Sequence, residues 1–258
     1  MGGAELPRPG STGRVVGDDA RRVSAPRREA PRGRRRGPKP SLSLAVIATA
    51  AIEIADADGL ANVSMPRLAR RLGVSTMALY RYVEGKRALV GLMVDSAVGE
   101  RSRRDHAKGN WRRGLSWWAE QTWIGFCEHP WLIEASVRHR LMGPNELSWV
   151  DKAVGLLEGS GLSGPERLDA VLVLAGHVRS MAQYATNRSG DAGAAGGDWN
   201  SATVRLVKED SQRYPALLSA VEEGALDAED TNGLGFGTRC ILDGMETLIA
   251  RKHTGSPP

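Results

Sequence analysis

The chain has 258 residues, 41% of them hydrophobic and 25% charged, with a formal net charge of +5. That length exceeds a single small domain, and two cysteines are too few for a disulfide-built scaffold. The charge is uneven: residues 1–40 hold eleven Arg or Lys against four Asp or Glu, net +7, so the remaining 218 carry −2.

Residues 1–40 lack apolar periodicity and read as a disordered basic arm. Its densest part, Arg32 to Lys39, has five cations in eight residues. Such an arm either enters an adjacent A·T-rich minor groove or adds only non-specific counterion-release affinity, and charge alone does not choose. No stretch of it has the apolar length of a secretory signal. The apolar run from Leu44 is broken by Glu53 and is too short to span a bilayer. A cytoplasmic, membrane-free protein is therefore expected, with Cys127 and Cys240 as buried free thiols, since they lack metal-ligand spacing.

The first predicted helix is Leu44 to Ala57, with Ile47, Ala51, Ile54 and Ala55 at helical spacing and Asp58-Gly59 as a stop. Ser64 then caps a helix whose stripe is Met65, Leu68, Ala69 and Leu72, with Pro66 in the tolerated first turn and Arg67, Arg70 and Arg71 outside. Gly73 offers a left-handed C-cap, Val74 plugs the turn, and Ser75 caps a further helix of about two turns. Leu79 and Val83 face inward, which leaves Thr76, Met77, Tyr80 and Arg81 on a face able to enter a major groove. Three short helices in this order make a helix-turn-helix, the second of its closing pair reading DNA.

The phrases Gly59-Leu60, Ser64-Met65, Leu68-Ala69, Leu72-Gly73-Val74, Leu79 to Val83 and Lys86 to Leu89 resemble, in order and spacing, the N-terminal domain of the TetR family of transcriptional regulators. The resemblance implies DNA contact by Ser64, Arg67, Ser75, Thr76, Met77, Ala78, Tyr80, Arg81, Tyr82 and Lys86. Tyr80 takes the phosphate-clamping place, and Lys86 opens the fourth helix, where a cation beside the positive end of the dipole suits a phosphate partner. Pro66 stands where relatives can place a base-reading arginine, so Arg67 either substitutes or touches phosphate only. Readout is then weighted toward thymine methyl contacts by Met77 and Ala78, with Arg81 either reading guanine or binding phosphate.

Beyond the head, apolar spacing predicts helices near 86–103, 110–127, 130–141, 145–159, 165–187, 200–223 and 234–251, with no β pattern. The expected fold is all-α: a basic arm (1–40), a three-helix DNA-binding domain (41–88), a helical effector-binding and dimerisation domain (89–252) and a disordered tail (253–258). His129-Pro130-Trp131-Leu132, Met142-Gly143-Pro144-Asn145, Gly161-Leu162, Phe236-Gly237 and Leu242-Asp243-Gly244 resemble the tetracycline-repressor class of C-terminal domains. That resemblance implies a homodimer through the helices near 165–187 and 234–251. Their stripes, Leu168 to Ala182 and Ile241 to Ile249, suit either an interface or an internal core.

Seven tryptophans, at 111, 117, 118, 123, 131, 149 and 199, outnumber two phenylalanines. Trp117, Gln121, Trp149, His177 and Met181 are the candidates to line a pocket for a small, largely apolar ligand, though core packing suits each of them too. His177 and Arg179 interrupt an otherwise apolar helix and need a partner: a side chain, water or a ligand. His129 and His139 have no evident metal partners. There is no Gly-rich phosphate loop, Gly-x-Ser-x-Gly elbow or His-Glu-x-x-His, so neither catalysis nor a cofactor is expected. The family implies repression of a palindromic operator, relieved when a ligand moves the helix starting at Lys86. The alternative is a helix-turn-helix regulator without a small-molecule effector, controlled by a protein or acting as an activator.

Overall fold

The computed structural model describes residues 42–102, 109–138, 140–190, 196–226 and 233–255. The basic arm, His139 and residues 256–258 lie outside them, as do the side chains of residues 187–199, Trp199 among them. From Leu42 onward the chain forms one compact unit, and the described residues contain helices and no strand.

In the head, local capping decides each boundary. Ser43 Oγ accepts from the Val46 amide at 3.3 Å and opens α1, Leu44–Asp58. A 3₁₀ turn, Leu60–Asn62, leads to α2, Met65–Leu72, where Ser64 Oγ accepts from the Arg67 amide at 3.4 Å. Gly73 follows at φ 67°, ψ 33°, a left-handed cap that a Cβ would strain. Ser75 Oγ accepts from the Ala78 amide at 3.2 Å and opens α3, Thr76–Tyr80. This helix is shorter than the two turns expected, the chain tightening after Tyr80 where the Tyr82 amide bonds the Leu79 carbonyl three residues back at 2.9 Å. Ile47, Val63, Leu68, Leu79, Leu89 and Met93 are fully buried together. Each contributes roughly 1.5–3 kcal/mol of apolar burial. Leu89 and Met93 belong to α4, Lys86–Ser102, so the fourth helix is rooted in the head. It packs against α1 near its start and against α7, Pro144–Gly155, further along.

The remaining helices are α5 (Trp111–Glu128), α6 (Trp131–Ser136), α8 (Gly164–Gly190), α9 (Gly196–Glu209), α10 (Pro215–Glu222) and α11 (Gly233–Thr254). Both α5 and α11 pack on α8. Three boundaries differ from expectation. The helix near 130–141 ends at Ser136, and Arg140 Nε beyond it donates back to the Ala135 carbonyl at 3.3 Å. The segment 200–223 is two helices: α9 ends at Glu209, the Arg213 and Tyr214 amides turn back onto the Asp210 carbonyl, and Pro215, suited to a first turn, starts the second. The last helix runs on through His253 and Thr254, into the segment expected as tail.

The start of α8 is a reciprocal cap. The Ser163 amide donates to Glu166 Oε2 at 2.7 Å and the Glu166 amide to Ser163 Oγ at 3.5 Å. Lys252 of α11 lies 2.8 Å from Glu166 Oε1. The lysine, then the serine amide, holds that carboxyl down at a pKa of about 2. Among the described residues no helix is long and apolar enough to cross a membrane.

Candidate nucleic-acid interface and effector cavity

The residues expected to touch DNA lie at the start of α2, on and just after α3, and at the start of α4. Met77 is 74% exposed. Tyr80, Arg81 and Tyr82 are exposed beside it, and Thr76 and Ala78 are half-buried at the helix start. Ser64 and Ser75 are both engaged as caps. Arg67 is bound by the Asp58 carboxylate at the end of α1, so a phosphate or base would have to compete with that carboxylate. Lys86 Nζ donates to the Ala61 carbonyl at 3.3 Å, which stations the ammonium over the 3₁₀ turn, on the exposed side of the head.

The head is tied to the helices behind it by Asp56, which the sequence did not single out. Its Oδ1 accepts from Trp131 Nε1 at 2.7 Å and lies 2.8 Å from His129 Nδ1. A second tie is Asp95 of α4. Its Oδ1 accepts from the amides of Asn145 and Glu146, at 2.8 and 3.1 Å, satisfying donors at the first turn of α7. Asn145 Nδ2 also donates to Asp95 Oδ2 at 3.1 Å. Gly143 lets this approach happen, because a Cβ there would collide with the Asp95 carboxyl.

Between α4, α5, α6, α7 and α8 lies a cavity of about 220 Å³. Val94 and Val98 of α4 form one side of it, and Trp118 and Trp149 another. The two indoles are stacked, with centroids 5.7 Å apart and planes 20° apart. Their polar atoms close on each other: Trp118 Nε1 donates to the Trp149 carbonyl (2.9 Å), Trp149 Nε1 to Thr122 Oγ1 (3.1 Å), and Thr122 Oγ1 to the Trp118 carbonyl (2.8 Å). Arg140 and Glu146 border the same space as a two-pronged ion pair, 2.5 and 2.7 Å, with side chains only 5% and 13% exposed.

Of the candidate ligand residues, Trp149 lines this cavity, whereas Trp117 packs edge-on against Trp149, centroids 5.5 Å apart, outside it. Gln121, His177 and Met181 do not border it. His177 has found its partner in α11: its Nε2 lies 3.2 Å from the Leu234 carbonyl, over Gly237, where a side chain would collide with the ring. Sequence reasoning missed Trp118, Thr122, Arg140 and Glu146. The available signal was the Arg140/Glu146 pair of opposite charges flanking the Gly143-Pro144 break.

Both cysteines are exposed rather than buried. Cys127 is the penultimate residue of α5, just past its buried Phe126, and Cys240 borders a groove between α8 and α11. Partial cover of its sulfur, then the adjacent Glu128, push the Cys127 thiol pKa up, which disfavours the thiolate. Among the described residues no cluster of His, Cys, Asp and Glu could hold a metal ion.

An exposed reading helix on a capped three-helix head, backed by a helical body enclosing an aromatic cavity, defines a helix-turn-helix regulator of transcription. Residues 47–93 match the family described as "Bacterial regulatory proteins, tetR family", and residues 105–249 match "Tetracyclin repressor-like, C-terminal domain". The chain belongs to the TetR family. It is 37% identical over 236 residues to the HTH-type transcriptional repressor DrrR1 of Streptomyces coeruleorubidus, covering 88% of this chain and 86% of that protein. It is 27% identical over 226 residues to the repressor Rv1353c of Mycobacterium tuberculosis, covering 85% and 86%. The fold is similar to that of ActR from Streptomyces coelicolor solved in complex with actinorhodin: TM-score 0.72, 22% identity, 81% of this chain and 97% of that one. Members of the family bind DNA and act as dimers.

Proposed function

We propose that the protein is a ligand-responsive repressor that binds a palindromic operator as a homodimer and is released by a small, largely apolar molecule. In this reading residues 41–88 bind DNA and residues 89–252 bind the effector and the second copy. One observation carries it: the cavity is walled by the same helix, α4, whose first turns are buried in the DNA-binding head. A molecule that overfills the cavity against Val94, Val98 and Trp149 displaces α4 or α7, and Asp95 binds those two together. The separation of the two reading heads then changes, and they lose register with successive major grooves. A coupling of about 1–3 kcal/mol is enough to lower operator affinity several-fold to a hundred-fold. The named repressor relatives and the ligand-bound ActR structure support both halves of the reading.

The second copy belongs on α8 and α11. Val173 and Leu248 are exposed there, in a groove of about 610 Å³ also lined by Ala170 and Ile241. Apolar surface of this kind on two neighbouring helices suits a four-helix bundle across a two-fold axis. The test is a footprint of the purified protein on DNA flanking its own gene, with the Tyr80→Ala variant and a panel of aromatic compounds. A protected palindrome, lost in the variant and released by a compound, is expected. Protection that no compound relieves, while a protein partner does, would favour the effector-free regulator.

A further inference from the structure

The cavity holds one more charge than the fold uses. Arg140 is neutralised by Glu146. Arg179 of α8 borders the same space, is half-buried, and makes no hydrogen bond or ion pair with any described residue. Its guanidinium nitrogens are still reached by water, so it stands at the cavity as a fixed cation with no counter-ion among the described residues, open to an anion that enters. His177, two residues earlier, shows the contrast, since α11 supplies its acceptor. The aromatic wall is complementary in kind. Trp118 and Trp149 have spent their N–H groups on each other and on Thr122, so they offer the cavity ring surface and no donor.

We infer that the effector is a flat aromatic acid, its carboxylate or phenolate paired with Arg179 and its ring against Trp118 and Trp149. This rests on reading the cavity as the effector site. Arg179 is then the residue that selects for charge, and Arg140, held by Glu146, leaves the rest of the pocket neutral. A planar fork of donors suits a carboxylate better than a point charge would.

The experiment is calorimetric titration of the full-length protein with 2-naphthoate and with its neutral isostere 2-naphthamide, repeated on Arg179→Gln and Arg179→Lys. The readout is the ratio of acid to amide affinity within each protein, which a general loss of stability does not move. Wild type is expected to prefer the acid by about tenfold or more, Arg179→Gln to erase the preference, and Arg179→Lys to retain part of it. Tight binding of both probes without preference, or a preference that survives Arg179→Gln, overturns the anion inference while leaving the cavity as effector site. Failure of wild type to bind either probe overturns both.

Discussion

The head and the body place their functional groups differently. Around α3, Met77, Tyr80, Arg81 and Tyr82 are exposed while a separate set of leucines and valines holds the helices together. In the cavity the same groups do both jobs: Trp118, Trp149, Arg140 and Glu146 line the space and also lock α5, α7 and the α6–α7 connection. The candidate contacts at those four exposed positions are therefore separable from stability, whereas the capping Ser64 and Ser75 and the cavity's candidate residues are entangled with it. A loss of response after changing a cavity residue has to be read beside an unfolding curve.

The sharpest test of that contrast is Glu146→Ala. It leaves Arg140 buried without its carboxylate, and urea denaturation is expected to show a loss of about 3 kcal/mol. If stability is unchanged, the entanglement claimed for the body fails. Tyr80→Ala should do the reverse, weakening operator binding by about 1.5 kcal/mol in a fluorescence anisotropy titration while the melting temperature stays put. Asp95→Ala lies between the two. Losing the acceptor for the first amides of α7 should cost about 1 kcal/mol of stability and leave operator binding intact, but effector-induced release should weaken, as gel-shift titration with an effector would show. The smallest effect belongs to Glu166. Its carboxyl is held down at about 2, so its interaction with Lys252 and Ser163 is complete above the ordinary carboxylate range and fades as pH falls toward 2. The small difference in melting temperature between wild type and Glu166→Gln should therefore be constant near neutrality and shrink on acidification below about pH 4. Growth of the difference in acid would refute the assignment.

The same contrast explains what could be read from the sequence. In the head the decisive bonds span three residues, Ser64 to Arg67 and Ser75 to Ala78, and a left-handed glycine sits between them, so order and spacing sufficed. The cavity draws on five helices, from Val94 to Arg179. Adjacent tryptophans illustrate the limit: Trp117 and Trp118 point about 100° apart on one helix, and periodicity could not say which of them meets the cavity. His177 and Arg179 both stood out as polar interruptions, yet only packing reveals that α11 satisfies the first and that no described residue reaches the second. Cys240 was expected in the interior because thiols usually are buried, but its helix face is left uncovered in a single chain.

The rooting of α4 in the head has a mechanical consequence. Leu89 and Met93 are clamped in the core of the three-helix unit, while Val98 touches the cavity roughly 8 Å further along the axis and Lys86 stands roughly 10 Å from Met93 on the other side. A rod held at two points a turn apart cannot pivot inside the head, so head and helix turn as one piece. On the proposed reading, a push at Val98 by the thickness of a methyl group would then carry the whole reading surface with it, and hydrogen bonds to a phosphate or base edge do not survive displacements of that size.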